Sequence, residues 1–330
     1  MAKQIPVVVV AGFLGSGKTT LLNHLLATAG GTRIGVLVND FGSVNVDAMA
    51  VAGQVDSTIS LSNGCLCCAV DASDLDEMLA RLARPATGID VIVIEASGLA
   101  EPEAMVKMVL ATENPRLAYG GLVLVVDAAE FAATSSRHPE LLKHLRLADL
   151  VVLNKVDRAE DLAALRREVG THTPGTPVVE ADHARVDPAL LFDTRPRERK
   201  FGQLSFEDLA EPHDDHVHAL YGSVEFTTGT PVHPRRFMDF LDDRPAGLYR
   251  MKGRVHFGAP DHHQRYTLQT VGDYLRFEPT TGGSTTQLVM IGTDLDAESI
   301  TARLEACTTE VPAEPQSMLD VLRYLRAQPA

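Results

Sequence analysis

Short apolar runs alternate with amphipathic stretches along the first half of the chain. Ile5-Pro6-Val7-Val8-Val9-Val10-Ala11 is rich in β-branched residues and has no charge. This is the pattern of a strand buried on both faces of a sheet. Similar runs are Arg33 to Asn39, Asp90 to Glu95, Leu122 to Asp127 and Leu150 to Asn154. Between them apolar residues recur at helical spacing, as in Thr20 to Leu26, Ser73 to Arg84 and Pro139 to Ala148. Continuous apolar strands joined by helical crossovers predict an α/β fold with a mostly parallel sheet covered on both sides. Polar residues close several of these strands, at the carboxyl ends where such sheets bind ligands.

The pattern breaks near Asp193. Arg195-Pro196-Arg197-Glu198-Arg199-Lys200 is a charge run that reads as solvated surface, and Glu211 to His218 is polar and irregular. Strand-like alternation returns at Leu220 to Thr227 and Gln264 to Glu278, with helical patterns at Pro234 to Leu241 and Met318 to Leu325. The chain has 330 residues, more than one core usually holds. Residues 1–195 are therefore predicted as one domain, 196–217 as a linker, and 218–330 as a smaller α+β domain.

The formal charge of −14 argues against a general nucleic-acid binder or a partner of anionic membranes, both of which need a basic face. No run approaches the length of a membrane span, and the N-terminus lacks a basic region followed by a long apolar stretch. A cytoplasmic chain is expected. Aromatic residues make up only 5% and Trp is absent, so the core is aliphatic.

One strand-to-helix junction carries specific chemistry. Residues 12–20 read Gly-Phe-Leu-Gly-Ser-Gly-Lys-Thr-Thr, which satisfies the phosphate-binding pattern G-x-x-x-x-G-K-[ST]. Gly12, Gly15 and Gly17 remove side chains where the backbone must curl, so that successive N–H groups converge on anionic oxygens. The helix that follows adds the partial positive charge of its N-terminus. Gly12, Gly15, Ser16, Gly17, Lys18, Thr19 and Thr20 are the expected cradle, with Lys18 on the β- and γ-phosphates and the Thr19 hydroxyl on Mg²⁺. This makes the first domain a P-loop NTPase.

Two further strand ends complete that site. Asn154-Lys155-Val156-Asp157 follows a predicted strand, and an aspartate there accepts both N1–H and the 2-amino group of guanine. Adenine has neither donor, so the segment selects GTP. Asp157 also suits the cap of a helix beginning near Arg158, and the two roles are compatible. Glu95 closes its strand before Ala96-Ser97-Gly98. Its carboxylate suits the Mg²⁺ water shell, and the Gly98 N–H suits the γ-phosphate. Asp47, after the second strand, is the candidate for a second Mg²⁺ contact. Lys18, Glu95 and Gly98 form the expected catalytic set, and no Gln or Arg is obviously placed to speed hydrolysis, so slow turnover is expected.

Three of the four cysteines, Cys65, Cys67 and Cys68, stand in Asn63-Gly64-Cys65-Leu66-Cys67-Cys68. Such crowding suits metal ligation better than disulfide formation. Three thiolates plus an open position suit Zn²⁺ or a similar soft-ligand metal that is passed on. Small buried residues or a redox-sensing cluster would have the same spacing. Cys307 reads as a buried apolar residue, and His24, His144 and His172 as surface or satisfied core histidines.

The phosphate loop, the Asn-Gly-Cys-Leu-Cys-Cys stretch, Glu95-Ala-Ser-Gly98-Leu-Ala-Glu-Pro102 and Asn154-Lys-Val-Asp157 together resemble the CobW family of GTPases. That family includes nitrile hydratase activators and zinc-handling proteins, and is related to the GTPases that mature urease and hydrogenase. Met251-Lys252-Gly253-Arg254 and Tyr266-Thr-Leu-Gln269 resemble its second domain, so the likeness covers nearly the whole chain. The resemblance implies a GTP-driven metallochaperone with Cys65, Cys67 and Cys68 as the Zn²⁺ or Co²⁺ motif and a client metalloprotein as partner. His213, His216 and His218 stand where relatives often carry a His-rich stretch, and fit either ligands or a solvated linker. Relatives usually carry glutamates near the second strand. Here Asp40 and Ser43 stand at those places, and Ser43 is a poor replacement for a carboxylate. Two other functions compete: a non-catalytic zinc reservoir or sensor, and a small-molecule kinase built on the same loop.

Overall fold

In the computed structural model the residues described are 4–38, 58–60, 72–98, 101–194, 221–257, 265–281, 283–310 and 314–325. Asp40, Ser43, Asp47, the three clustered cysteines, the predicted linker and its histidines lie outside them. Contacts divide the chain into two compact units, Met1–Thr173 with Val178–Leu220, and Pro174–Pro177 with Tyr221–Ala330.

The first unit is built on strands β1 (Ile5–Gly12), β2 (Ile34–Val38), β3 (Thr58–Ser60), β4 (Val91–Glu95), β5 (Leu117–Asp127), β6 (Leu150–Asn154) and β7 (Val178–Ala181). They form one sheet in the order β3-β2-β4-β1-β5-β6-β7. Every pairing within it is parallel. Helices α1 (Lys18–Thr28), α2 (Ala72–Leu82), α3 (Pro102–Ala111), α4 (Phe131–Arg137), α5 (Glu140–Leu147) and α6 (Leu162–His172) connect the strands, and α7 (Pro188–Leu191) follows β7. Parallel neighbours require such crossovers, and crossovers bury both faces of the sheet. Val7 to Val10 are accordingly inaccessible to solvent, as are Leu21, Leu22 and Leu25 of α1. Each such side chain stabilises the fold by about 1.5–3 kcal/mol relative to an exposed one.

Three elements here escaped the pattern. Thr58–Ser60 and Val178–Ala181 are too short to stand out, and α6 begins at Leu162 rather than near Arg158. Residues Val156–Arg158 form a 3-10 turn instead. Asp161, not Asp157, caps α6, its Oδ1 accepting the Ala164 N–H at 2.8 Å.

The second unit is a sheet of β8 (Gly222–Thr228), β9 (Leu248–His256), β10 (Arg265–Val271), β11 (Tyr274–Pro279) and β12 (Thr286–Gly292), in the order β11-β10-β9-β12-β8. All its pairings are antiparallel. Helices α8 (Pro234–Asp242), α9 (Ala297–Ala306) and α10 (Leu319–Leu322) belong to this unit. Phe237, Leu241, Ile300 and Leu304 from the helices share a core with Phe226, Met251, Leu268, Phe277 and Met290 from the strands. The predicted strand Gln264 to Glu278 resolves into β10 and β11, turned at Gly272 with φ 51°. The predicted helix Met318 to Leu325 is a 3-10 turn, Pro315–Met318, then one helical turn. Leu325 lies in an isolated bridge with Phe277. Cys307 joins the same core, and burial pushes its thiol up to about 11.

Candidate functional site

The candidate site forms along the carboxyl ends of β4, β1, β5 and β6, which are neighbours in that order. β1 lies between β4 and β5 and therefore marks the crevice where chain connections part to opposite sides. Parallel pairing puts Gly12, Glu95, Asp127 and Asn154 at the same edge, because each closes its own strand.

The phosphate loop runs from β1 to α1. Gly12 (φ 149°) and Gly17 (φ 108°) occupy conformations that side chains rarely adopt. A Cβ at Gly12 would stand 2.3 Å from the Val125 carbonyl oxygen, and one at Gly17 would stand 2.2 Å from Asn154 Nδ2. The loop is thus pressed against the ends of β5 and β6 and tolerates nothing larger than glycine at Gly12 and Gly17. Lys18 is 8% exposed and donates to the carbonyls of Gly12 (3.0 Å) and Phe13 (3.2 Å), so the loop curls around its own ammonium. The Ser16 hydroxyl is buried and has no hydrogen-bond partner among the described residues, as expected of a group that completes its bonding with a ligand.

The Thr19 hydroxyl donates to Glu95 Oε1 at 2.7 Å, joining the first turn of α1 to the end of β4. A hydroxyl and a carboxylate side by side are the oxygen donors that Mg²⁺ takes. A Cβ at Gly98 would come within 2.9 Å of the Leu14 nitrogen, so the segment after β4 also approaches the loop.

Asn154 is 2% exposed and holds two segments at once. Its Nδ2 donates to the Ser16 carbonyl at 2.8 Å, and its Oδ1 accepts the Ala184 N–H at 2.7 Å. His183 and Ala184 have φ of 49° and 55°, so the segment after β7 takes an unusual backbone path to reach Asn154. Lys155, itself at φ 62°, sends its ammonium to the Gly15 carbonyl (2.8 Å) and to Asp127 Oδ2 (2.5 Å). Asp157 projects into solvent beside Asp182, with Arg158 Nε 3.9 Å from its carboxylate.

Sequence reasoning gave no role to Asp127, whose signal was only its place at a strand end. It also missed the segment around Ala184, and a cavity of about 220 Å³ beside the loop. Besides Ala11, Gly12, Phe13 and Gly98, that cavity is lined by Glu101, His138, Glu140 and His144 together with the apolar Pro102 and Leu141. The Phe13 and His138 rings lie 4.6 Å apart. His138 Nδ1 is 3.1 Å from Glu140 Oε1, and His144 Nε2 is 3.5 Å from Glu101 Oε2. His144 therefore faces the loop rather than bulk solvent. His24, half-buried on α1, meets the Val186 carbonyl at 3.1 Å, and burial lowers its pKa. Among the described residues no group of three His, Cys, Asp or Glu side chains is arranged to hold a metal. No helix among them is long and apolar enough to cross a membrane.

The family model "CobW/HypB/UreG, nucleotide-binding domain" matches residues 6–180, more than half of the chain. The chain belongs to the CobW/HypB/UreG family. A second model, "Cobalamin synthesis protein cobW C-terminal domain", matches residues 221–308 of this CobW-type chain. The "Zinc chaperone CobW" of Sinorhizobium sp is 31% identical, over 92% of this chain and 97% of that protein. The "Zinc chaperone YjiA" of Escherichia coli K12 is 31% identical over 58% of this chain and 61% of that protein. A crystal structure of the Zn(II)-bound YjiA GTPase from E. coli aligns with 93% of this chain and all of that one, at 24% identity and a TM-score of 0.46.

Proposed function

We propose that this protein is a GTPase that couples its nucleotide state to the binding of a transition metal and delivers the metal to a client protein. The observation that carries the reading is the register of the parallel sheet. Ser60, Val38 and Glu95 lie side by side on β3, β2 and β4. The segment containing Cys65, Cys67 and Cys68 begins directly after Ser60. Ser60, the last residue described before it, stands at the same sheet edge as Glu95, about 10 Å away by strand spacing. Family membership and the relatives named zinc chaperones support the same reading.

GTP would lie with its phosphates in the Gly12–Thr20 loop and its base against Asp157. Lys18 and the loop N–H groups neutralise the phosphates, and Asp157 accepts the two guanine donors. Thr19 and Glu95, with Asp47, would hold Mg²⁺, which neutralises charge on the phosphate oxygens when bound. Asn154 fixes Ser16, and Lys155 fixes Gly15, so the cradle is shaped before the ligand arrives. Preorganised donors of this kind lower the cost of stabilising developing charge. Metal is the cargo: three thiolates, from Cys65, Cys67 and Cys68, take Zn²⁺ or Co²⁺, and loss of the γ-phosphate alters their hold on it.

The test is zinc titration of the full chain and of its Cys65→Ala/Cys67→Ala/Cys68→Ala variant. The reading expects the variant to lose high-affinity zinc binding; unchanged affinity would refute it. A second reading rests on the cavity beside Gly12 and Gly98. Its two imidazoles and two carboxylates are groups that deprotonate an acceptor hydroxyl, as a small-molecule kinase requires. Product analysis with labelled GTP separates the two: the GTPase yields free phosphate alone, whereas a kinase transfers the label to an added acceptor.

A further inference from the structure

The second unit carries a feature that the nucleotide site does not use. One face of its sheet packs on α8 and α9, through Val224, Phe226, Met251, Leu268, Phe277 and Met290 among others. The residues that alternate with these lie on the opposite face. On β9, the central strand, they are Arg250, Lys252 and Arg254, three successive outward positions. Arg276 lies two strands over from Lys252, in the same row through Gln269. Arg265 pairs with His256 at the end of β9. Two carboxylates share the face, Glu225 on β8 and Glu278, which pairs with Arg276. Arg254 is exposed, and Arg250 and Lys252 are half-buried. A ridge of cations is thus concentrated on the middle strand of a chain whose net charge is −14.

We propose that this outer sheet face docks an extended acidic segment of a partner protein. The cations of β9 repeat about every 6.6–6.8 Å, the distance between alternate side chains of an extended chain. Alternate Asp or Glu residues of such a segment match them one for one. Val289 and Ile291, opposite Lys252 and Arg250 on β12, border the ridge with apolar side chains, which lowers the local dielectric and strengthens ion pairs formed there. A nucleic acid fits less well. The ridge is one strand wide and flanked by Glu225 and Glu278, and the charge of the whole chain repels a long polyanion. The proposal does not rest on the GTP reading, and Lys18→Ala leaves it intact.

The experiment is fluorescence polarisation of a short labelled peptide of alternating Glu and Val, titrated with the full chain. The wild type is expected to bind, more weakly as salt rises. Arg250→Gln/Lys252→Gln/Arg254→Gln is expected to weaken binding about threefold per charge, about thirtyfold together. Arg81→Gln/Arg84→Gln/Arg167→Gln, with the same loss of charge on exposed residues of the first unit, leaves it unchanged. If the triple variant of β9 does not fold by circular dichroism, Arg254→Gln alone carries the test, with a threefold weakening expected. Equal weakening in the two triple variants, or unchanged binding in the β9 variants, overturns the proposal. So does a single-stranded oligonucleotide that displaces the peptide at lower concentration.

Discussion

The two sheets of this protein solve the same burial problem in opposite ways, and the difference decides where chemistry can sit. In the parallel sheet both faces are covered, and Val7 to Val10 have no solvent contact. No polar group can work from a face, so Gly12, Glu95, Asp127 and Asn154 gather at the strand ends. In the antiparallel sheet the helices described pack on one face, and Arg250, Lys252 and Arg254 alternate with its core residues on the middle strand. A ligand of the first sheet must be compact and is held by its phosphates in a loop. The ligand proposed for the second is extended and lies along β9.

Glycine substitutions should break the comparison hardest, because each sheet depends on close backbone approaches at glycine. A Cβ at Gly12 would meet the Val125 oxygen at 2.3 Å, and one at Gly253 would meet the Gln287 oxygen at 1.9 Å. Both glycines have φ near 150°. Gly12→Ala and Gly253→Ala are each expected to cost about 3 kcal/mol or more, read as a lowered midpoint in urea unfolding. Gly15→Ala is the control. Its added Cβ meets nothing within 4 Å, and only the backbone strain of φ 75° remains, about 1–2 kcal/mol.

Next in size are the charge contacts of the parallel sheet's edge. Lys18→Ala and Asp157→Ala should each weaken GTP binding about 10- to 100-fold, the worth of a hydrogen bond to a charged group. Lys18→Ala should weaken GTP and ATP alike, whereas Asp157→Ala should erase the preference between them; titration of both nucleotides checks this. Asp161→Ala is expected to leave nucleotide affinity unchanged and to lower stability by about 1 kcal/mol, because it loses only a helix cap.

The smallest effects come from one buried and one half-buried group. With its thiol pushed up to about 11, Cys307 is expected to resist alkylation in the folded chain at neutral pH and to react on unfolding, which mass spectrometry of labelled peptides resolves. Burial lowers the pKa of His24 below 6.5, so the folded chain disfavours its charged form. Below pH 6.5 the unfolded chain binds the proton first, and stability falls until His24 is protonated in the folded state as well. His24→Gln should flatten that part of the pH dependence of the melting temperature.

Much of the first unit was legible because its signals are local. Nine consecutive residues specify the phosphate loop, and apolar runs such as Val91–Ile94 are unambiguous as buried strands. Val178–Ala181 was not legible, since four residues give periodicity too little length. Asp127 and Ala184 were missed for another reason. Their roles arise from β5 and β7 lying beside β1 and β6, and no local pattern encodes which strand becomes a neighbour. The second unit was read less well. Met318 to Leu325 carries a helical pattern, yet its packing against the core leaves a single helical turn. Met251-Lys252-Gly253-Arg254 and Tyr266-Thr-Leu-Gln269 stood out as separate stretches, and the register places them side by side on β9 and β10.

The central claim is that the edge holding Glu95 and the segment following Ser60 act as one device, so that the nucleotide sets the hold on the metal. Zinc affinity of the full chain, measured by competition with a chromophoric chelator, tests this directly with the protein loaded first with a non-hydrolysable GTP analogue and then with GDP. The account predicts affinities that differ about 10-fold or more, a coupling of about 1.4 kcal/mol, with the difference lost in Cys65→Ala/Cys67→Ala/Cys68→Ala. Equal zinc affinity in the two nucleotide states would contradict it and leave a metal reservoir in place of a switch.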